Sequence, residues 1–332
     1  MNIYDVSQYA KVSIATVSRV LNGNPNVSEK TRNRVLEAIA ELGYTPNVFA
    51  RSLGLNTMKT IGIMCADSSD PWLAEAVYYL ETELRESGYD SLLCCSGYEP
   101  ETKRNYLELL RSKRVDAVIL AGSNYVESNP ADNVYLLDAA KDIPIMLVNG
   151  CLEGEQIYST VCDDHDAVYN AVLSLYRSGC TSVLYLYSGN SFSSLQKLSG
   201  YQDAVKDGGF KPEKKLTALC GKDLDEAMER LKQLSSSGVY FDAIVAAEDI
   251  LAVGAVKYAG QAGLRIPEEL SIIGYNNSIL SRCTAPELTS VDNKVKELCI
   301  ATVHTLMKVL SGEYVPAKTT IMPELIKRGT TK

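Results

Sequence analysis

Between Ser13 and Arg19 the chain reads SIATVSR, a run whose side chains suit contact with the edges of nucleic-acid bases. Ser13 is a natural N-cap, because its hydroxyl can accept a hydrogen bond from a free backbone N–H in the first turn of a helix. In that helix Val17, Val20 and Leu21 recur on one face, while Ile14, Ala15, Ser18 and Arg19 point away from it. Such a helix fits the major groove, where Arg19 can donate two hydrogen bonds to a guanine. Two further helices must hold it. Ile3, Val6 and Ala10 mark a short one that ends in a turn at Val12, and Ser28 opens another that carries Thr31, Val35, Ile39 and Leu42 and stops at Gly43. Lys30, Arg32 and Arg34 on this last helix suit phosphates. A small helical bundle with a solvated basic face has the same spacing, so pattern alone leaves both readings open.

Three motifs carry a resemblance. V-S-x-A-T-V-S-R-V-L-N, then N-V-S-E-K-T-R-x-R-V, then L-G-Y-x-P-N-x-x-A-R-S-L run nearly without gaps from Ile3 to Leu53. The segment resembles the DNA-binding head and hinge of the lactose and galactose repressor family. The resemblance implies an all-α helix-turn-helix DNA-binding domain over residues 1–45, a hinge over 46–58 and a core over 59–332. It implies DNA contacts from Tyr4, Ser13, Ile14, Ala15, Thr16, Ser18, Arg19 and Asn22, and from Ser28 and Thr31 on the third helix. In the hinge it implies contacts from Asn47, Ala50, Arg51 and Leu53. Pro46 and Asn47 offer a turn and a cap, and VFARSLGL can make two helical turns, too few to be stable alone in water. The resemblance implies that this segment orders on operator DNA and wedges Leu53 into the minor groove, where the kink costs a few kcal/mol that added contacts offset.

At 332 residues, the chain leaves ample length beyond the head for one or two more compact units. Its net charge of -8 looks wrong for a DNA binder until the chain is divided. Up to Met58 the basic residues are Lys11, Arg19, Lys30, Arg32, Arg34 and Arg51, against Asp5, Glu29, Glu37 and Glu41. The head is mildly basic and the acidity belongs to the remainder, where it opposes nonspecific contact with nucleic acid. The cysteines, an odd number at 9, sit mostly inside apolar runs, which reads as small buried hydrophobes in a reducing cytosol rather than a disulfide framework. The head starts directly after Met1, no signal peptide or membrane span is expected, and the protein is expected in the cytoplasm with the nucleoid.

From Thr60 onward, the apolar runs TIGIMCA, SLLCC, VDAVILA, IPIMLVN, SVLYLY, DAIVAAE and SIIGY alternate with amphipathic stretches such as LAEAVYYLETELRES. Runs of this kind are strands buried on both faces, so the core reads as α/β with two doubly wound parallel-sheet lobes. A stretch of little periodicity at Tyr158 to Asp163 divides the series, and TSVDNKVKEL near residue 290 reads as a return crossing. By resemblance to periplasmic sugar-binding proteins, one lobe takes about 60–160 and 291–322, and the other about 161–290 and 323–332.

Ligands in such sheets sit beyond the carboxyl ends of the strands. The resemblance places Asp67, Trp72, Asn149, Lys197, Glu248 and Asn276 there as effector-binding residues. Trp72 can stack on the C–H face of a pyranose, or it can be a core aromatic at a helix start. Lys197 stands where many sugar-responsive members have arginine, Asn276 replaces a frequent aspartate, and Glu248 stands where asparagine or threonine is usual. Lysine lacks the guanidinium fork and asparagine lacks the charge, so the effector is expected to be a sugar or sugar derivative gripped in an uncommon way. An amino sugar pairing with Glu248 fits, as does a core that responds to a protein partner instead.

An α/β enzyme is the competing class. The two histidines, His165 and His304, are isolated, and no nucleophile elbow, phosphate loop, dinucleotide fingerprint or metal-ligand cluster follows a strand. No cofactor is expected. The sequence reads as a repressor that binds a pseudo-palindromic operator as a homodimer, because one small head offers too few contacts for specific affinity. The PELIKRGTTK end carries no heptads, so no coiled-coil tetramer is expected.

Overall fold

The computed structural model describes residues 1–21, 24–44, 57–209 and 214–332. In the head, α1 (Ile3–Tyr9), α2 (Ile14–Leu21) and α3 (Glu29–Glu41) pack around Val6, Ala10, Val17, Val20, Val35 and Ala38. The α1 start rests on a reciprocal cap between Asn2 and Asp5, which the apolar spacing gave no reason to expect. Leu21 is half-buried rather than buried. Arg32 donates to the Asn24 carbonyl at 2.8 Å, so it braces the approach to α3 and differs in this from the exposed Lys30 and Arg34.

The core holds two six-stranded sheets. The first contains β1 (Thr60–Cys65), β2 (Asp90–Cys95), β3 (Ala117–Ala121), β4 (Ile145–Val148), β5 (Ile157–Cys162) and β11 (Lys318–Ile321). Its order is β11-β5-β4-β3-β1-β2, and every pairing is parallel. The second contains β6 (Val183–Tyr187), β7 (Thr217–Leu219), β8 (Ala243–Ala246), β9 (Ser271–Tyr275), β10 (Thr289–Asp292) and β12 (Glu324–Ile326), in the order β12-β10-β9-β8-β6-β7. Here the edge strand β12 runs antiparallel to β10, a departure from the all-parallel expectation. Buried strands alternate their side chains between two cores, because successive residues of a strand point to opposite faces. Ile61 and Ile63 join one apolar cluster while Met64 joins the other, and Val183 and Leu184 divide likewise in the second lobe.

Helices follow the strands: α4 (Pro71–Glu86), α5 (Pro100–Ser112), α6 (Val134–Ala140), α7 (Asp164–Arg177), α8 (Phe192–Asp207), α9 (Leu224–Ser236), α10 (Asp249–Ala262) and α11 (Val295–Leu310). The chain leaves the first sheet after Cys162, returns after Asp292 to pack α11 in the core with α4, and passes to the second sheet again between Ile321 and Glu324. The stretch expected to separate the lobes is therefore a strand. In IYSTVC the residues Ser159 and Thr160 break the apolar run, yet both are buried because β4 and β11 flank them. The TSVD of the expected crossing is likewise the strand β10, and the crossing itself lies just beyond it. All nine cysteines are free, but Cys95 and Cys283 are exposed, against the expectation of buried hydrophobes.

Asp249 clamps the second lobe beneath its strand ends. Its Oδ2 accepts from the Ser278 backbone N–H and hydroxyl at 2.7 and 2.8 Å, and its Oδ1 accepts from the Ser290 hydroxyl at 2.6 Å. Burial raises its pKa to about 6, in spite of those donors. The folded value lies above the unfolded one, so the protonated carboxyl favours folding. That contribution is complete below about 3.8 and is lost as pH rises through about 6. The difference corresponds to roughly 3 kcal/mol, and Asp249→Asn should remove this share of the stability loss when urea denaturation is compared at pH 4 and pH 7.

Helices α7 and α8 meet at Gly200, where a Cβ would stand 2.2 Å from the His165 carbonyl oxygen. Backbone cannot yield as a flexible side chain can. Gly200→Ala should destabilise the core by about 1–3 kcal/mol, as overpacking does, and a lowered urea midpoint at unchanged m-value would register it.

Candidate functional site

Two surfaces collect the residues singled out from the sequence. On the head, Val17 and Val20 anchor α2 and leave Ile14, Ala15 and Arg19 exposed, with Ser18 half-buried. Ser13 Oγ accepts from the Thr16 N–H at 3.2 Å and lies 2.9 Å from Thr16 Oγ1, so both hydroxyls contribute to the cap. Ser28 and Thr31 repeat the arrangement at α3, at 3.4 and 2.9 Å. Tyr4 is exposed on α1. Asn22, Asn47, Ala50, Arg51 and Leu53 lie outside the described residues.

The second surface is a cavity of about 360 Å³ lined by both lobes. Strand ends supply it. Trp72 follows β1, Ser123 follows β3 and Asn149 follows β4, while Ser188 and Ser191 follow β6, Glu248 follows β8 and Asn276 follows β9. Of the six effector residues read from the sequence, five line this cavity and Asp67 does not. Asp67 accepts from the Ser69 N–H and hydroxyl at 2.8 and 2.7 Å, which closes a turn and lowers its pKa below the usual range. The nearby acid in the lining is Asp70, which caps α4 by accepting from the N–H groups of Trp72 and Leu73 at 2.9 and 3.0 Å.

The other five have definite partners. Trp72 is 9% exposed and packs in the first-lobe core, so most of its ring is not free to stack, and its indole N–H is bonded to Asn293. Lys197 donates to the Ala247 carbonyl at 3.0 Å and stands over the Tyr275 ring, 3.6 Å from the centroid. Glu248 accepts from the Ser188 hydroxyl at 3.1 Å. Asn149 and Asn276 both have positive φ, 59° and 95°, in a region that asparagine tolerates better than most residues. Asn149 Oδ1 accepts from the Cys162 N–H at 3.0 Å and its Nδ2 donates to Asp164 at 3.3 Å. Asp164 also accepts from Tyr275, whose pKa burial pushes well above its ordinary value.

Several lining residues escaped the sequence reading. Lys103, 3% exposed, donates to the Asn124 carbonyl and to Glu127, the latter at 2.8 Å. Its place in the first turns of α5, after β2, is a signal the strand-end rule could have used. Lys222 meets Tyr98 of the opposite lobe, with Nζ 3.3 Å from the hydroxyl and 4.5 Å from the ring centroid. Burial lowers the Lys222 pKa, but Glu248 and Tyr98 outweigh that and hold it above its ordinary value. Ser123 donates to Ser191 at 2.8 Å, another bond between the lobes. Nothing in the sequence marked Asn293, since it belongs to the crossing rather than to a patterned strand end.

Among the described residues no cluster of histidine, cysteine, aspartate and glutamate could hold a metal ion, and no helix is long and apolar enough to cross a membrane.

A family model described as bacterial regulatory proteins, lacI family, matches residues 2–47, and one described as periplasmic binding proteins and sugar binding domain of LacI family matches residues 58–328. The chain is 57% identical over 331 residues to an HTH-type transcriptional regulator of Lachnoclostridium phytofermentans, covering 100% of this chain and 99% of that one. It is 30% identical over 331 residues to the HTH-type transcriptional regulator DegA of Bacillus subtilis, covering 99% and 97%. In fold it is similar to the lac repressor dimer bound to operator and the anti-inducer ONPF, with a TM-score of 0.90 and 24% identity over 100% of this chain and 99% of that one. An exposed helix-turn-helix face in front of a two-lobed, cleft-bearing core thus meets both family descriptions at once, and the chain belongs to the lacI family of bacterial regulatory proteins, as a DNA-binding transcriptional regulator and not an enzyme.

Proposed function

We propose that this regulator is a repressor that binds a pseudo-palindromic operator as a homodimer in the cytoplasm and is controlled by a small effector, a sugar or sugar derivative, held in the cleft between its lobes. The observation that carries the reading is the cavity itself. It is polar, it draws residues from the strand ends of both sheets, and it lies between the lobes, where a ligand would touch both. The lac repressor, whose fold is similar, is described with operator and an anti-inducer bound together as a dimer, which supports the arrangement. A two-fold pair of heads reads two half-sites, and the recognition helix of each enters the major groove. Residues 1–45 serve as the head, 46–58 as the hinge and 59–332 as the core.

Ligand control then follows from linkage. An effector that binds the two lobe arrangements with different affinity shifts their populations, with a coupling typically of ~1–3 kcal/mol, and DNA must change effector affinity by the same factor. A footprint on a palindromic site, with sedimentation of the free and bound protein, tests the DNA half. Thermal shift against a sugar panel tests the other half, since a ligand that binds the folded state raises the melting temperature.

Arg19 has the clearest role on the exposed face of α2. Arg19→Ala should cost about 1–3 kcal/mol on the preferred operator and flatten discrimination among bases; anisotropy titrations on single-base operator variants that keep the wild-type ranking would exclude it as a base reader. Glu248 occupies the second-lobe side of the cleft beside Ser188 and Lys222. Glu248→Ala should abolish the effector's influence on operator binding while leaving the affinity of the free protein for DNA within a few-fold. A variant that still responds to the effector at wild-type concentration would remove Glu248 from the site.

A further inference from the structure

Trp72, Asn293 and Asn276 form a hydrogen-bonded chain along the cleft whose direction is set at one end. An indole N–H can only donate. Trp72 Nε1 lies 3.1 Å from Asn293 Oδ1, which orients that buried amide, and Asn293 Nδ2 in turn donates to Asn276 Oδ1 at 3.1 Å. Asn276 is left with its Nδ2, a donor, to offer to the cavity that it lines.

Lys197 adds a second donor. It is 6% exposed and lines the same cavity, and its ammonium has one carbonyl, that of Ala247, and the face of Tyr275. An ammonium carries three N–H donors and no acceptor. The other lysines of the cavity are compensated, Lys103 by an ion pair with Glu127 at 2.8 Å and Lys222 by the field of Glu248. The lining acids are also occupied: Asp70 caps α4, Glu127 pairs with Lys103, and Glu248 takes the Ser188 hydroxyl. Among the described residues neither Lys197 nor Lys222 makes an ion pair with a carboxylate, but Lys222 is exposed whereas Lys197 is buried. A buried charge calls for a partner of opposite sign.

We infer that the effector carries an anionic group, the carboxylate of a sugar acid or the phosphate of a sugar phosphate, seated against Lys197 and the Asn276 amide. This rests on the cleft being the effector site. An aspartate at 276 would add negative charge beside such a group, whereas the asparagine offers it a donor. The lysine matches in kind, since a point charge suits one anionic group and forgoes the paired grip of a guanidinium on neighbouring hydroxyls.

Matched pairs test the inference by calorimetry and thermal shift on the full chain: glucuronate with glucose, galacturonate with galactose, and glucose 6-phosphate with glucose. At least one acidic member should bind about tenfold or more tighter than its neutral partner, a difference well above calorimetric error. Asn276→Asp keeps an acceptor for Asn293 Nδ2 but exchanges the free donor for a carboxylate oxygen, and it should weaken the acid about tenfold or more while sparing the neutral sugar. Lys197→Met should erase the preference, and Lys197→Arg should retain it. Should Lys197→Met fail to fold by circular dichroism, Asn276→Asp decides alone. Neutral sugars that bind as tightly as their acids would overturn the anionic effector and leave the cleft reading standing. Acid binding undiminished in Asn276→Asp would overturn it as well, with the anion placed elsewhere. If no member of either series binds, the cleft reading falls together with it.

Discussion

The carboxylate of Asp164, in the second lobe with Tyr275, joins the two lobes by also accepting from Asn149 of the first, at a point that water does not reach. Asp164 begins α7 just after the chain has left the first sheet, and it is 1% exposed. It accepts from Tyr275 at the end of β9 in the second lobe and from Asn149 at the end of β4 in the first. A carboxylate in so dry a place costs several kcal/mol unless its lone pairs are filled. That requirement ties down both donors, and with them the cleft. Tyr275 is the ring beneath Lys197, and the left-handed turns at Asn149 and Asn276 adjoin the same junction. The cavity is therefore lined by residues already linked across the lobes.

Near the cleft the lobes are also held by contacts made of small or long polar groups, the Ser123 to Ser191 bond and the Lys222 to Tyr98 pair. Such contacts are individually worth little in partly exposed places and can exchange for water. The sheets themselves are rigid, with strands buried on both faces between two apolar clusters each. The head has its own small core and no apolar cluster shared with the lobes among the described residues.

The clamp at Asp249 shows how the second lobe bears the polar end of its sheet. Its carboxyl gathers the Ser278 N–H with the Ser278 and Ser290 hydroxyls, which fixes the loop that follows Asn276. Gly274 lies beside it because a Cβ there would stand 2.3 Å from Asp249 Oδ1. Side-chain volume at β9 and charge at the start of α10 are in this way one constraint.

Much was legible in the chain from local pattern. The three helices of the head follow from caps at Ser13 and Ser28 and from apolar spacing, and strands such as TIGIMCA and VDAVILA follow from unbroken apolar runs, because both signals depend on residues near one another in sequence. Trp72, Asn149, Lys197, Glu248 and Asn276 were reached through the resemblance to the family, which is also read residue by residue along the chain. Tertiary structure alone decided the rest. IYSTVC became a strand because neighbours covered its serine and threonine, Asp67 turned to Ser69 while Asp70 joined the lining, and the Trp72 indole was spent on Asn293. In each case the outcome depended on a partner far along the chain or on a choice between equivalent acceptors. Local spacing holds no information about either, since hydrogen bonds and burial are settled by distance in space.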